Sequence, residues 1–287
     1  MKKLYLLLLF FFTCKGFAID NYVYNYDNNK INVFLAKKTD NQINLGLEFF
    51  LDENWKIYWK YPGDTGLPPN LKIIDNNNDH NINIKWPFPD ELYEEEINLT
   101  SRVYYNHVIL PTNIVFNGLL DPSAIKIEFL LDFQICKEIC IPVSKTFFID
   151  LPEEDYINHQ NMAKLKLFED KVPKDIKLAK NIKTGDIKID NNILIIDFEK
   201  KRKGEKLKLS KNNLIFFNNN NIGTTRLFKE KEDKSKIYYF LSFDNITEPL
   251  QNKSEVFLKI NQEYYYWVTS NDIIRKNIFN SNILVII

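Results

Sequence analysis

Two cysteines, Cys136 and Cys140, stand with three residues between them in the segment Phe133-Gln134-Ile135-Cys136-Lys137-Glu138-Ile139-Cys140-Ile141-Pro142. Such a pair can close a disulfide that is only structural, exchange that disulfide with another thiol, or offer two thiolates to a metal. On antiparallel strands, facing Cα atoms at a non-hydrogen-bonded position are about 4.5 Å apart. A disulfide accepts roughly 4.4–6.8 Å, so a bridge across a tight hairpin is feasible. The loop closed would be very short, which puts its entropic stabilisation near the low end of the disulfide range. A tip disulfide is therefore a weak brace for a large domain and is well placed to be reached by another protein's thiolate. Lys137 beside Cys136 favours a thiolate, while Glu138 opposes it. The histidines His80, His107 and His159 have no ligand spacing to the pair, which leaves a metal reading poorly supplied. Exchange is the leading reading, with the structural staple and the metal site as alternatives.

The cysteines must be positioned by the strands on either side. Ile125, Ile127, Phe129, Leu131, Phe133 and Ile135 form an unbroken period-two stripe, which predicts a long strand with one face on a core. Cys136 falls on the opposite parity, with Lys126, Glu128, Asp132 and Gln134, and is expected to point away from that stripe. Residues 140–149 read as the return strand. Earlier strands are expected over 43–51 and over Trp55-Lys56-Ile57-Tyr58-Trp59, the latter with its aromatics on one face. Shorter ones are expected at 82–86 and 108–110. Tyr61 to Pro69 holds three prolines and two glycines and predicts a loop, with Asp64 as a turn former. Trp55, Trp59 and Trp86 are expected in the core or in loop packing.

Residues 153–172 change pattern. Tyr156, Met162, Leu165 and Leu167-Phe168 give a rough helical spacing that ends before Pro173. The β pattern returns at 187–189, 193–196, 214–217, 237–241, 256–260 and 264–268. The expected fold class is thus all-β, as two immunoglobulin-like β-sandwich domains joined by a short helical linker. The expected divisions are 1–18, 19–152 with the cysteine pair, 153–180 as the linker helix, and 181–287.

The first eighteen residues read as a secretory signal peptide. Lys2 and Lys3 precede an apolar run from Leu4 to Phe12, too short to span a bilayer, and Gly16-Phe17-Ala18 predicts cleavage after Ala18. Phe11-Phe12-Thr13 before Cys14 argues against a lipoprotein site. Export to an oxidising compartment makes disulfide chemistry available. The 38 basic and 38 acidic side chains balance, so no global basic field points to nucleic acid. The cluster Lys200-Lys201-Arg202-Lys203 before Gly204 reads as a solvated turn. Asn98-Leu99-Thr100 fits a glycosylation sequon, a weak signal at three residues.

Five segments, in order, resemble the periplasmic N-terminal region of the DsbD/ScsB thiol:disulfide interchange proteins. They are Trp55-Lys56-Ile57-Tyr58-Trp59, Tyr61 to Pro69, Ile84-Lys85-Trp86-Pro87-Phe88-Pro89, Val108-Ile109-Leu110-Pro111, and Cys136-Lys137-Glu138-Ile139-Cys140-Ile141-Pro142. The likeness covers about 43–151, and is looser over 170–270. It implies an immunoglobulin-like sandwich with a reversible disulfide, Cys136 and Cys140 being the exchanging residues. It also implies a mobile cap over the pair, which no motif here places. Tyr104 and Tyr105 stand where relatives carry a Gly-containing Tyr segment. This sequence shows no transmembrane domain and no thioredoxin-type C-x-x-C, so a separate membrane electron carrier of the DsbD/CcdA type is expected to reduce it.

The expected function is that of an exported, periplasmic protein-disulfide reductase that relays electrons to periplasmic thiol–disulfide proteins, in the manner of cytochrome c biogenesis systems. It needs no cofactor and no metal beyond the pair, and Cys136 is taken as the first attacker. The rival is a non-catalytic β-sandwich interaction or chaperone-like module whose disulfide is structural.

Overall fold

In the computed structural model the described residues are 21–74, 79–120, 126–190, 192–204, 214–219, 222–246, 254–260, 262–269 and 274–275. The expected signal peptide, its cleavage after Ala18, and Cys14 lie outside them. Strands dominate. The first half runs β1 Tyr22–Tyr26, β2 Asn29–Thr39, β3 Gln42–Phe50, β4 Lys56–Gly63, β5 Asn70–Ile73, β6 His80–Ile84, β7 Asp90–Glu94, β8 Leu99–Tyr105, β9 His107–Phe116, β10 Lys126–Cys136 and β11 Cys140–Asp150. It continues with β12 Tyr156–Ile157 and helix α1 His159–Glu169. The second half holds β13 Lys174–Asp175, β14 Ile182–Asp190, β15 Ile193–Lys200, β16 Leu214–Asn218, β17 Thr225–Glu232, β18 Lys236–Phe243, β19 Ser254–Ile260, β20 Glu263–Thr269 and β21 Ile274–Arg275.

Four sheets make two sandwiches. In the first, a sheet ordered β1-β2-β3-β9-β6, with β12 on β2, faces one ordered β11-β10-β4-β8-β7, with β5 on β10. The second is built from β13-β20-β19-β16 and β17-β18-β15-β14-β21. The alternation in β10 explains the first core. Ile127, Phe129, Leu131, Phe133 and Ile135 are all buried there, opposite Phe49, Leu47 and Leu45 of β3. Period two puts one side chain in two on the core face, so a strand of this composition stabilises a sheet only when the facing sheet removes that stripe from water.

The aromatics of β4 do not share a face. Trp55, Ile57 and Trp59 enter the main core, while Tyr58 joins a separate cluster with Val103 and Cys136 on the other side of the sheet. Adjacent residues of a strand point to opposite faces, so Tyr58 and Trp59 cannot both line the core.

Helix α1 packs on the first sandwich. It lies on β2 and β9, with Leu165 and Phe168 in the first core. Asn158 caps it, accepting from the Gln160 and Asn161 amides at 3.0 and 3.1 Å. Its Lys164 reaches the buried Glu48 at 3.9 Å, which His107 also meets at 3.0 Å.

The basic cluster near 200 is only partly solvated. Lys200 is buried and paired with Glu232, and its Nζ donates to the Asp233 carbonyl at 2.6 Å. Lys201 donates to the Ala179 carbonyl. Only Lys200, the last residue of β15, departs from the expected solvated turn, and residues 201–204 form an exposed turn.

The two sandwiches share an aromatic seam. Phe216 of β16 and Phe257 of β19 belong to the first core, beside Trp59. Trp59 meets Phe257 edge-on at 4.9 Å between centroids, and Phe88 stacks on Phe216 at 5.1 Å and on Tyr264 at 5.3 Å. The Tyr61 hydroxyl donates to Glu255 at 2.5 Å across the same seam.

Candidate functional site

The β10–β11 pair runs in unbroken register from Lys126↔Asp150 to Cys136↔Cys140. The two cysteines are therefore the last opposed pair before the turn, with Cα atoms 4.1 Å apart, and they form a disulfide. Lys137, Glu138 and Ile139 make the exposed tip, where Ile139 is 76% exposed. Lys56 donates to the Lys137 carbonyl at 3.1 Å and ties the tip to β4.

The two sulfurs have unlike surroundings. Cys140 is exposed, whereas Cys136 is 1% exposed. As its parity predicts, Cys136 leaves the main stripe, but it does not reach water. It packs with Tyr58 and Val103, and Leu92 and Tyr105 lean on the same cluster. Register accounts for this. Lys56 pairs with both Cys136 and Tyr105, Tyr58 pairs with Val103, and Val103 pairs with Asp90, so these residues alternate onto one outer face.

Tyr58 is the residue that sequence reasoning missed. Its hydroxyl lies 3.4 Å from the Cys140 sulfur, and a disulfide sulfur carries no proton, so the phenol is the donor. Burial raises the Tyr58 pKa, a side-chain hydrogen bond from Thr65 opposes the rise, and Glu94 adds to it. The phenol thus stays protonated and able to donate at neutral pH. The one available signal was parity, which separates Tyr58 from its tryptophan neighbours.

The loop after β4 forms a wall of the site. Gly66 has φ +89°, and a Cβ there would fall 2.2 Å from the Tyr58 ring, so only glycine lets the chain lie on that ring. The Leu67 amide donates to Gln134 at 3.0 Å, and Thr65 and Ser101 hydroxyls meet at 2.7 Å. Asp64 acts as the expected turn former, accepting from the Thr100 amide at 2.8 Å. Trp55 and Trp59 are core residues, and Trp86 packs against that core. Tyr104 turns inward and donates to the Pro87 carbonyl at 2.6 Å, while Tyr105 faces the cysteine cluster.

Behind the site, on the opposite face of the β7–β8 hairpin, Glu91 and Arg102 are cross-strand partners. Burial pushes Glu91 up to about 7, against the pull of Arg102 and Arg226. Burial brings Arg102 down to about 10, against Glu91 and Asp64. Desolvation is the larger cause for both. Among the described residues no group of three or more His, Cys, Asp or Glu is arranged to hold a metal, and no helix is long and apolar enough to cross a membrane.

An exposed sulfur bonded to a buried one is a polarised target. An incoming thiolate can approach Cys140, and the departing charge then falls on Cys136 in an apolar pocket that disfavours it. An outside thiolate can reach the Cys140 sulfur but not the buried Cys136 sulfur.

Residues 27–152 match the model of the family described as "Thiol:disulfide interchange protein DsbD, N-terminal". Among solved structures, the N-terminal periplasmic domain of ScsB from Proteus mirabilis is 14% identical with a TM-score of 0.66, over 85% of this chain and 94% of that one. That likeness is one of fold, and it extends through both sandwiches. The reduced N-terminal domain of Neisseria meningitidis DsbD is 16% identical over 45% of this chain and 90% of that one, with a TM-score of 0.27. No curated protein matches the chain.

Proposed function

We propose, from the premise that residues 27–152 are a DsbD N-terminal domain, that this chain is a periplasmic thiol–disulfide exchange protein. It takes electrons from a membrane carrier of the DsbD/CcdA type and hands them to exported thiol proteins. Residues 19–152 form the exchange domain, 153–180 the connecting segment and 181–287 a second sandwich. The leader 1–18 directs export and is removed after Ala18. The observation that carries the reading is the disulfide at the end of β10–β11, exposed at Cys140 and buried at Cys136 beneath Tyr58.

In reduction, a partner thiolate attacks the Cys140 sulfur. A partner–Cys140 disulfide forms and the Cys136–Cys140 bond breaks, leaving its electron pair on Cys136. The partner's second thiolate then attacks the partner's own sulfur and releases Cys140. Two electrons and two protons have entered the pair, and the partner leaves as a disulfide. Passing electrons on reverses the roles: the Cys140 thiolate attacks a target disulfide, and Cys136 resolves the mixed disulfide. This order departs from the expectation that Cys136 attacks first, because a side chain 1% exposed offers no approach to a second protein.

The deciding measurement is the reduction potential of the pair in the mature chain, by equilibration against glutathione. A value between about −270 and −120 mV, the span of exchange proteins, supports the relay. A value below about −300 mV marks a structural staple and favours the interaction-module reading instead.

A further inference from the structure

At the seam between the sandwiches the chain leaves a cleft of about 370 Å³, the size of a small-molecule site. Tyr61 and Asp64 line it from the first sandwich, and Phe217 and Asn218 of β16 from the second. Arg102 of β8 lines it as well. Arg102 is only 3% exposed, yet its Nε and Nη2 groups have no hydrogen-bond partner. These two donors share one edge of the guanidinium, the edge that can hold both oxygens of a carboxylate at once. No carboxylate of the protein fills it. Glu91 and Asp64 attract Arg102 through space without bonding that edge. The flat face of the guanidinium is already taken by the Phe216 ring, at 4.8 Å. A buried charged donor without a partner costs stability, and a pair of ligand oxygens at that edge removes the cost. Burial holds the Glu91 carboxyl up at about 7, so in mildly acidic solution it is neutral and leaves the Arg102 charge to attract an anion.

We propose that this cleft is a binding site for a small zwitterion of the amino-acid class, with Arg102 holding its carboxylate and Asp64 its ammonium group. Asp64 accepts from the Thr100 amide through Oδ2, and a carboxylate has acceptor capacity beyond one bond. Its charge on the same wall as Arg102 favours a ligand that carries both signs over a simple anion. The Tyr61 hydroxyl is committed to Glu255, which leaves its ring, with Phe217, as the apolar surface for the ligand's side chain. Both sandwiches contribute walls, so the site exists only when the two are docked. The site takes no part in the exchange chemistry and stands or falls without it.

The test is a titration of the mature full-length chain at mildly acidic pH, followed by nuclear magnetic resonance at the Arg102 Nε–H. Loss of one arginine Nε–H signal in Arg102→Lys assigns it. Three probes separate the charges: L-phenylalanine, its amide, which lacks the carboxylate, and hydrocinnamate, which lacks the ammonium. Phenylalanine should shift the Arg102 signal saturably. The amide should bind about ten-fold more weakly or worse, because it forfeits a charged two-point hydrogen bond. Hydrocinnamate should bind more weakly than phenylalanine and still shift the same signal. Arg102→Lys should weaken phenylalanine binding about ten-fold, since an ammonium cannot present the two-donor edge. Circular dichroism melting shows whether that variant keeps its fold, and the comparison of the three probes on the wild type needs no variant. An Arg102 signal unmoved by phenylalanine and hydrocinnamate overturns the site. Equal binding of phenylalanine and its amide overturns the role of Arg102, and tighter binding of hydrocinnamate than of phenylalanine overturns the zwitterion assignment.

Discussion

At the scale of single residues, the unlike exposure of two bonded sulfurs is the central fact. Cys140 meets water and the Tyr58 hydroxyl at 3.4 Å, and Cys136 meets Tyr58, Val103 and Leu92. A hydrogen bond donated to a charged acceptor contributes about 1.5–3 kcal/mol, and less to a soft sulfur. In a Cys136→Ser background, Tyr58→Phe should therefore raise the Cys140 thiol pKa by about one unit. The rate of iodoacetamide alkylation against pH measures it, and an unshifted curve would remove Tyr58 from the chemistry. The ring itself stays in place in this variant, so Gly66 keeps its support. The cysteine pair was legible in the sequence because both residues lie on adjoining strands of one hairpin. Tyr58 was not, because its role depends on β4 lying beside β10, a pairing that Ile57↔Ile135 and Lys56↔Cys136 make and that no local pattern reports.

At the scale of elements, the β7–β8 hairpin combines a functional face with a charged buried one. Glu91 is pushed up to about 7 chiefly by burial. Its folded pKa lies above its unfolded value, so the folded state favours the protonated form. The sign follows: as pH rises from about 4.5 to about 7, the unfolded chain releases this proton first and stability falls. The loss reaches at most about 3 kcal/mol. Glu91→Gln should flatten that part of the profile, seen in urea midpoints measured across pH 4.5–7.5. An equally sloped profile in the variant would show that the Glu91 carboxyl does not titrate in this window. Helix α1 teaches the same lesson in packing terms. Its spacing was readable from Met162, Leu165 and Phe168, though Tyr156 falls in β12 instead, and its place on β2 and β9 was not readable.

At the scale of the whole molecule, the two sandwiches are joined by rings rather than by a linker alone. Phe216 is fully buried between Trp59, Phe88 and the Arg102 guanidinium. Removing it should cost about 3–5 kcal/mol, the usual range for a buried phenylalanine cut to alanine. If the seam couples the halves, the wild type unfolds in one urea transition and Phe216→Ala in two, read by tryptophan fluorescence and circular dichroism together. A single shifted transition in the variant would mean that the halves are coupled elsewhere. The likeness to the ScsB domain over 85% of the chain fits a second sandwich that is part of one architecture.

The sequence by itself did not reveal β1, β2, β7, β8 or β17, but it determined strands such as β3, β10, β11, β18 and β20, the sandwich class and the presence of a cysteine pair at a hairpin end. These follow from short-range rules: period-two burial, proline and glycine punctuation, and the reach of a disulfide. Resemblance in five spaced segments pointed to the family whose model matches residues 27–152. Only the tertiary structure decided which sulfur is exposed, which face of β4 the aromatics take, where α1 docks, and that Arg226 lies over the Tyr93 ring. Each of these depends on contacts between residues far apart in the chain, about 130 positions in the case of Tyr93 and Arg226. Periodicity fixes which side of an element is apolar, but the partner that covers it is chosen by how the sheets stack.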